Sequence, residues 1–383
     1  MTMTPARTVR IAASIGTAAL AAATAFAVPA AAASHQTARV HSTVFVQTNS
    51  PAGNAIVAYD RDADGTLTAA GRYPTGGLGG SLAGSVVDHL ASQGSLAYDR
   101  AHRLLYAVNA GSDTVTVFAV HGDRLTRTQQ VASGGSFPVG IAVHGDRVYV
   151  LNALDGGSVQ GFVRVGDHLT TVHSWQRGLG LDPTATPQFT HTPGQIAFTP
   201  DGTRLVVTTK AAANSIDVFP LDRSGAPARK PVVNSEPGTV PFGFAFDAAG
   251  RLQVTQAGTN AVATYAVGRD GKVTPVGSPA ATGQAATCWI VRDGRHLYAS
   301  NAGSGSLSGF RTDGRHGLVP LGDTATDGGT VDAAVSSDGR YLYAQTGAKG
   351  IVDEFRVGHD GSLTAIGSVT VPDAVGGEGI VAL

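Results

Sequence analysis

The chain has 383 residues and a formal net charge of −1, from 27 Lys and Arg against 28 Asp and Glu. This balance, with no basic run, excludes the electrostatic footprint of a nucleic-acid-binding protein. The 51 Gly, 18 Pro and short apolar runs are typical of many short strands joined by tight turns, and not of a disordered chain.

The first 33 residues are typical of a secretory signal peptide. Arg7 and Arg10 form a basic start, residues 11–29 are apolar and small, and the four alanines at 30–33 are suited to cleavage. We therefore expect a secreted protein, with residues 34–41 as a short flexible leader. A membrane anchor is the alternative, which the Ala, Thr and Ser content of the segment disfavours. No later apolar run is long enough to span a bilayer.

From residue 42 onward the chain repeats one unit, in which an apolar opening strand is followed by a turn and further strands. The opening strands of copies two to seven are GSLAYD at Gly94, PVGIAV at Pro138, PGQIAF at Pro193, PFGFAF at Pro241, ATCWIV at Ala286 and TVDAAV at Thr330. The first copy begins at Ser42 and lacks this strand, but GGEGIVAL at the C-terminus, Gly376–Leu383, matches it. A ring closed by one blade from both termini follows, because closure removes the open sheet edges.

Turn residues indicate how many strands each copy contains. Asp-Gly pairs recur after the opening strand, as at Asp201-Gly202, and near the end of a copy, as at Asp360-Gly361. The spacing of about 45 residues and four strands per copy predict a propeller. We therefore expect an all-β fold over residues 42–383: one seven-bladed β-propeller of four-stranded antiparallel blades. Six or eight blades are the alternatives.

Two insertions interrupt the repeat, at Pro74–Gln93 and Gln176–Thr192, and each precedes an opening strand. In a propeller this connection leads from the outer strand of one blade to the inner strand of the next. Both insertions are therefore expected on one face, near the mouth of the central channel, where function usually lies. Ordinary Gly-rich length variation is the alternative.

The repeated unit is similar to that of a known family. The "LYAVNAGSDTVTVF"-type hairpins, the Asp-Gly turns and the shared terminal blade resemble the seven-bladed lactonase family over about residues 42–383. That family includes bacterial 6-phosphogluconolactonase and fungal carboxymuconate-lactonizing enzyme. "SQGSLAYD", "PFGFAF", "CWIV" and "NAGSGSLSGF" resemble a secreted bacterial branch described as 3-carboxymuconate cyclases or lactonases. The resemblance implies a propeller that acts on a small lactone.

Three positions depart from the polar residues of that family. The His-rich segment before an opening strand reads "THTPGQIAF" here, with His191 nearby and Gly194 at the second His position. Phe242 takes the place of an Arg, and Ala257 follows Gln256 where the family often has Glu. The catalytic His, Arg and Glu of the family are therefore not retained, and whether the chain is an enzyme is left open.

Equivalent positions in the repeat place several polar residues near the channel mouth. Lactone hydrolysis needs a base to activate water and donors for the developing oxyanion. The candidate catalytic residues are His191, Glu378, Asp332 and Lys210. The candidate substrate-binding residues are Gln195, Asn109, Asn152, Asn301 and Trp289. Turn capping by the Asn residues and core packing of Trp289 are the alternatives.

The sequence supports two functional hypotheses. The first is a secreted lactonase-type hydrolase or cycloisomerase that acts on a small lactone as a monomer, without cofactor or metal. The second is a non-catalytic extracellular propeller that binds a carbohydrate, peptide or protein. The single cysteine, Cys288, excludes an internal disulfide framework and lies in an apolar run, so a buried structural thiol is expected.

Overall fold

The computed structural model describes residues 42–313 and 317–383. Seven antiparallel sheets follow one another along this part of the chain. The predicted signal peptide and leader lie outside the described residues. The sheets are the blades of a propeller and are numbered in chain order. The predicted seven-bladed architecture is confirmed.

Strands β1 to β16 form the first four blades, and blade one also receives a strand from the C-terminus. Blade one contains β1 (Ser42–Gln47), β2 (Ala55–Arg61) and β3 (Leu67–Pro74). Blade two contains β4 (Leu96–Asp99), β5 (Leu104–Asn109), β6 (Thr114–His121) and β7 (Arg124–Ala132). Blade three contains β8 (Pro138–His144), β9 (Arg147–Asn152), β10 (Ser158–Val165), β11 (His168–Thr171) and β12 (Arg177–Gly178). Blade four contains β13 (Ile196–Phe198), β14 (Arg204–Thr208), β15 (Ser215–Pro220) and β16 (Val232–Ser235).

The remaining strands complete the ring. Blade five contains β17 (Pro241–Phe246), β18 (Leu252–Gln256), β19 (Ala261–Val267), β20 (Val273–Pro275) and β21 (Ala280–Ala281). Blade six contains β22 (Thr287–Asp293), β23 (His296–Asn301), β24 (Ser306–Thr312) and β25 (Leu318–Ala325). Blade seven contains β26 (Thr330–Val335), β27 (Tyr341–Thr346), β28 (Ile351–Val357) and β29 (Leu363–Thr370), and the chain ends with β30 (Ile380–Ala382). Short 3₁₀ helices cover Ala110–Ser112, His173–Trp175, Gln188–Thr190 and Lys210–Ala212.

The two ends of the chain share blade one, as the sequence predicts. Strand β30 pairs antiparallel with β1, and Val46 lies opposite Ile380. The strand order β3-β2-β1-β30 makes the C-terminal strand the innermost of that blade. This pairing closes the ring without an open inner edge.

The middle strands of each blade carry the core because neighbouring blades cover both of their faces. All six residues of β5 and of β27 are buried, whereas in the outer strand β7 only Leu125 is buried. Between blades three and four, Tyr149 and Trp175 stack with ring centroids 5.8 Å apart. The Tyr149 hydroxyl donates a hydrogen bond to the Gly225 carbonyl oxygen at 2.6 Å.

The Asp-Gly turns form with positive φ at the glycine and not at the aspartate. Gly202 and Gly361 have positive φ, whereas Asp201 and Asp360 are absent from the left-handed region among the described residues. The aspartate instead caps the turn, since Asp360 Oδ1 accepts a hydrogen bond from Ser362 N at 3.0 Å. One glycine with positive φ and one capping carboxylate are therefore sufficient to form each of these turns.

The outermost strands differ between blades in how they pair with the strand beside them. In blades one, two, six and seven the third and fourth strands pair with a one-residue register shift, a β-bulge. In blades three and five the fourth strand is split into two pieces.

In the described part of the chain, no helix is long and apolar enough to cross a membrane.

Candidate functional site

The end of the first insertion and the first two residues of the opening strand that follows it, residues 88–95 together, lie across the end of the central channel. It bonds to four different blades: His89 N to Gly376 O (3.0 Å), Ser92 Oγ to Val139 O (2.9 Å), Gln93 N to Gly194 O (2.9 Å) and Gln93 Nε2 to Ile290 O (2.8 Å). These partners come from blades one, three, four and six. A segment that bonds to the inner ends of blades on opposite sides of the ring covers its centre.

The second insertion joins the first on the same face. Ala83 N donates to Gln188 Oε1 at 2.9 Å, and Phe189 N donates to Ala83 O at 3.3 Å. The two insertions therefore form one cover over the channel mouth, as their shared position in the repeat predicts.

Lys210 fastens both insertions to blade four. It follows β14 and is 1 % exposed. Its Nζ donates to Ala91 O at 2.5 Å in the first insertion, and to Phe189 O at 2.6 Å and Thr192 Oγ1 at 2.9 Å in the second. An ammonium group has three N–H donors, so all three are used.

Two buried carboxyl groups accept hydrogen bonds from this segment, and a third, Asp332, interacts with both of them through charge. Asp88 accepts from Leu90 N at 2.8 Å and Ser92 N at 2.9 Å. Glu378 Oε1 accepts from Gly94 N at 2.9 Å and Ser95 N at 3.2 Å. Asp332, in the inner strand of blade seven, accepts from Ala333 N at 3.0 Å. The exposed fractions of Asp88, Glu378 and Asp332 are 4 %, 0 % and 4 %.

The arrangement around Ser92 indicates that Glu378 carries a proton. The Ser92 hydroxyl lies 2.9 Å from Val139 O and 3.0 Å from Glu378 Oε2. Its single hydrogen cannot serve both oxygens, and Val139 O cannot donate. A proton on Glu378 Oε2 lets both hydrogen bonds form.

Electrostatics favours the same assignment. Burial raises the pKa of Glu378 well above its ordinary value, and the charges of Asp88 and Asp332 raise it further. Burial also raises the pKa of Asp332 to about 7 and that of Asp88 to about 6. Burial lowers the pKa of Lys210 to about 7, against the attraction of Asp88. Near neutral pH the cluster therefore holds both carboxylic acid and carboxylate.

The structure brings together five of the residues selected from the sequence. Glu378 and Lys210 bond to the covering segment, and Asp332 interacts with its Asp88 through charge. Trp289 Nε1 donates to Ser92 O at 2.5 Å. Gln195 lies beside Gln93 in a parallel bridge, and its amide exchanges hydrogen bonds of 2.6 and 3.1 Å with the backbone of Phe244.

His191 lies apart from this cluster, on the second insertion. Its Nδ1 is 2.9 Å from both Pro187 O and Thr190 Oγ1. It lines a void of about 10 Å³, together with Asp182 and Gln188. That volume is about one water molecule.

The three asparagines are buried within their own blades. Asn109 Nδ2 donates to Thr116 Oγ1 at 3.0 Å, and Asn301 Nδ2 donates to Ser308 Oγ at 2.9 Å. Asn152 Nδ2 donates to Ser158 Oγ at 3.4 Å. These bonds join the second and third strands of each blade.

Sequence reasoning missed two residues at the centre of the cover, Asp88 and His89. Both lie in an insertion that has no counterpart in the other repeats. The signal was an Asp-His pair in a segment that otherwise contains small and apolar residues. His89 is half-buried, burial lowers its pKa, and its Nδ1 has no hydrogen-bond partner in the described structure.

No group of three or more His, Cys, Asp or Glu side chains in residues 42–313 and 317–383 is placed to hold a metal ion. Cys288 is free and buried, as predicted, and burial raises the pKa of its thiol to about 12.

The closed ring of seven sheets, five with four strands and two with a split fourth strand, has its channel end covered by two insertions and defines a seven-bladed β-propeller. No protein-family model matches the sequence, and no curated protein matches it significantly.

Solved structures share the fold. A periplasmic gluconolactonase of Pseudomonas aeruginosa has a TM-score of 0.71 and 18% identity, covering 89% of this chain and 99% of its own. A protein of Bacteroides fragilis provisionally described as a 6-phosphogluconolactonase has a TM-score of 0.69 and 18% identity, covering 91% of this chain and 99% of its own. A Lactobacillus plantarum protein reaches 0.71 with 18% identity, over 90% and 99% of the two chains. The resemblance to the seven-bladed lactonase family is thus confirmed at the level of the fold.

Proposed function

We propose that this protein hydrolyses a small lactone at the covered end of its propeller channel. The observation that carries the proposal is the convergence of three buried carboxyl groups, Asp88, Asp332 and Glu378, with a single buried ammonium group, Lys210. The propellers of similar fold that include a gluconolactonase support the substrate class.

The charge of the cluster is the first argument. Burying ionised groups without matched partners is costly, and one ammonium could not balance three carboxyl groups if all of them were ionised. A hydrophobic core has no need of such a set, so its presence at the channel end favours a chemical role.

The protonation states of the cluster match the needs of lactone hydrolysis. The Asp332 carboxylate takes a proton from water as the water oxygen bonds to the lactone carbonyl carbon. The bond between this carbon and the ring oxygen then breaks, and the Glu378 carboxylic acid gives its proton to the departing oxygen. The product is a hydroxy acid, and one water is consumed.

The roles of the other residues follow from their contacts. Asp88 raises the proton affinity of both acids through its charge. Lys210 holds the cover, because its three donors are occupied. We assign the base to Asp332 rather than to His191, since the His191 ring bonds to Pro187 and Thr190 within its own insertion.

The proposal requires the first insertion to move when substrate enters, because Glu378 and Asp332 expose almost no surface. Gly76 and Gly84 have positive φ and are the candidate hinge residues, whereas Gly77, Gly79 and Gly80 are packed closely against Asn109, Asn49 and Phe137.

The test is a pH-stat assay of the mature protein on gluconolactone, its 6-phosphate and muconolactone, corrected for spontaneous hydrolysis. We expect turnover on at least one lactone, and a loss of 100-fold or more in Glu378→Gln and Asp332→Asn. Both substitutions keep side-chain shape, and Asp222→Asn in an exposed turn is the matched control. Turnover that survives both substitutions would place the reaction elsewhere, with His191→Ala as the next variant to compare.

A binding platform is the second candidate. The observation that favours it is a pair of exposed valines, Val86 with an exposed fraction of 78 % and Val375 with 58 %. They lie on two segments that are joined by the hydrogen bond from His89 N to Gly376 O. Absence of turnover on every lactone, with the fold intact, would favour this role.

We also propose that the protein is exported. The basic and apolar leader supports this proposal, and the Pseudomonas aeruginosa protein of similar fold is periplasmic. Mass spectrometry of protein from the culture medium should give an N-terminus near Ser34, whereas an intact Met1 on cell-associated protein would contradict export.

A further inference from the structure

A cleft opens on the outer part of blade five, away from the channel. Strand β20 pairs with residues from Tyr265 onward, and β21 pairs with Ala261 and Val262. After β20, Val276 N still donates to Thr264 O of β19 at 2.8 Å, and residues 277–279 then leave the sheet before β21. The middle of β19 therefore lacks a full partner strand, and the cleft lies beside it.

Blade three has the same split outer strand, but its equivalent space is filled. The registers of β10 and β19 place Gln160 where blade five has Ala263. Gln160 is buried, and its Nε2 donates to Val172 O at 3.0 Å. Alanine has no such side chain, and the cavity in blade five measures about 540 Å³. This volume is typical of a small-molecule site.

A chain of hydrogen bonds ends at a carboxylate in this cleft. Thr259 Oγ1 donates to Gln256 Oε1 at 3.2 Å, and Gln256 Nε2 donates to the Tyr265 hydroxyl oxygen at 3.0 Å. The Tyr265 hydroxyl in turn donates to Glu236 Oε2 at 2.8 Å. The hydroxyl groups of Thr259 and Tyr265 thus already donate their hydrogens. The Glu236 carboxylate, at the end of this series of hydrogen bonds, can accept a further hydrogen bond from a donor on a ligand.

The walls restrict the ligand further. Five apolar residues line the cleft: Ala261, Ala263, Ala281, Pro275 and Pro279. None of the described residues that line the cleft is Lys, Arg or His. The lining therefore provides no positive charge to balance an anionic ligand, and none to pair with the Glu236 carboxylate. A cation with an apolar body matches both features.

We propose that the blade-five cleft binds a compact organic amine, with the ammonium group on Glu236 and the apolar body against the alanines and prolines. Other clefts of the ring differ at the position of Ala263: Asp353 in blade seven and Val57 in blade one line the corresponding spaces. The site is independent of the lactone reaction, because none of its residues belongs to the channel cluster.

The test is a titration of ¹⁵N-labelled full-length mature protein with cyclohexylammonium, followed by amide chemical shifts and by calorimetry. We expect saturable shifts confined to amides around Ala261, Ala263 and Gly277. Cyclohexanol, which has the same ring without the charge, should bind at least about 10-fold more weakly, as expected for loss of a charge-assisted hydrogen bond.

Two variants separate the site from nonspecific binding. Glu236→Gln should weaken cyclohexylammonium binding about 10-fold and leave cyclohexanol unaffected. Ala263→Gln should fill the cleft as Gln160 does in blade three and abolish both. Asp222→Asn, an exposed carboxylate in blade four, is the control and should change neither.

Three results would overturn the proposal. They are non-saturating shifts of cyclohexylammonium, equal affinity for cyclohexanol, and binding that Ala263→Gln leaves intact in a protein with an unchanged melting temperature. None of them bears on lactone turnover.

Discussion

Lys210 Nζ lies 2.5 Å from the carbonyl oxygen of Ala91, and this bond fixes the first insertion over the channel. The same ammonium group also holds the second insertion, through Phe189 O and Thr192 Oγ1. One buried side chain of blade four therefore links two segments that lie about 100 residues apart in sequence. The order of the cover depends on it.

Replacement of Lys210 by Met should loosen the cover. The carbonyl oxygens of Ala91 and Phe189 lose their donor, at a cost of roughly 1–3 kcal/mol for each group left unpaired. Hydrogen exchange of amides 82–93 should become at least 10-fold faster, while exchange in β27 stays unchanged. Lys230→Met, an exposed lysine in the same blade, is the control. Unchanged protection of the insertion in Lys210→Met would show that other contacts hold the cover.

The stability of the protein should fall as pH rises from about 4 to 7. Asp332 has its pKa raised by burial to about 7, so the folded state keeps a proton that the unfolded state loses near pH 4. Its contribution is complete below pH 4 and is lost as pH rises through 7. Lys210 acts oppositely, since its lowered pKa makes the folded state more stable as pH rises from 7 to 10.

The check is the melting temperature between pH 4 and 10, in wild type and Asp332→Asn. Asparagine does not titrate, so the variant should show a shallower fall from pH 4 to 7. Parallel curves for the two proteins would contradict a raised pKa for Asp332.

Truncating a buried side chain of the closing strand β30 should destabilise the whole ring. Ile380 is buried and pairs with Val46, so Ile380→Ala should lower the free energy of unfolding by about 2–5 kcal/mol. Val375→Ala, five residues earlier and 58 % exposed, should cost about 0.5 kcal/mol or less. Urea denaturation measures both. Equal small losses would show that the terminal strand contributes little to closure.

Cys288 should be unreactive in the native protein. Burial raises the pKa of its thiol to about 12, and the thiolate is the reactive form. Ellman's reagent should label the folded protein at least 100-fold more slowly than the protein in guanidinium chloride. Fast labelling of the native state would mean that the region around Cys288 and Trp289 opens readily.

The repeat made the fold predictable, and it made part of the site predictable as well. Glu378 and Asp332 occupy related positions in opening strands, so alignment of the copies alone places them at the channel. Asp88 and His89 have no such template, because their insertion occurs once. The contacts of Lys210 also required the three-dimensional path of both insertions, which no period in the sequence encodes. His191 illustrates the opposite case, since nearness in sequence to an opening strand did not bring it to the carboxyl cluster.

The cleft in blade five was likewise beyond sequence reasoning. The four residues that separate β20 from β21 resemble an ordinary turn. The space becomes visible when the register of β19 is compared with that of β10, where Gln160 fills it.

The pH dependence of kcat/KM for lactone hydrolysis distinguishes the channel cluster from any other site of reaction. We expect a bell-shaped profile, with activity rising through about pH 7 as Asp332 loses its proton and falling at higher pH as Glu378 loses its own. Asp332→Asn should remove the acidic limb from any residual activity, and Asp222→Asn should keep the full bell. A profile without an acidic limb near pH 7, or one unchanged by Asp332→Asn, would contradict the assignment of the channel cluster as the site of reaction.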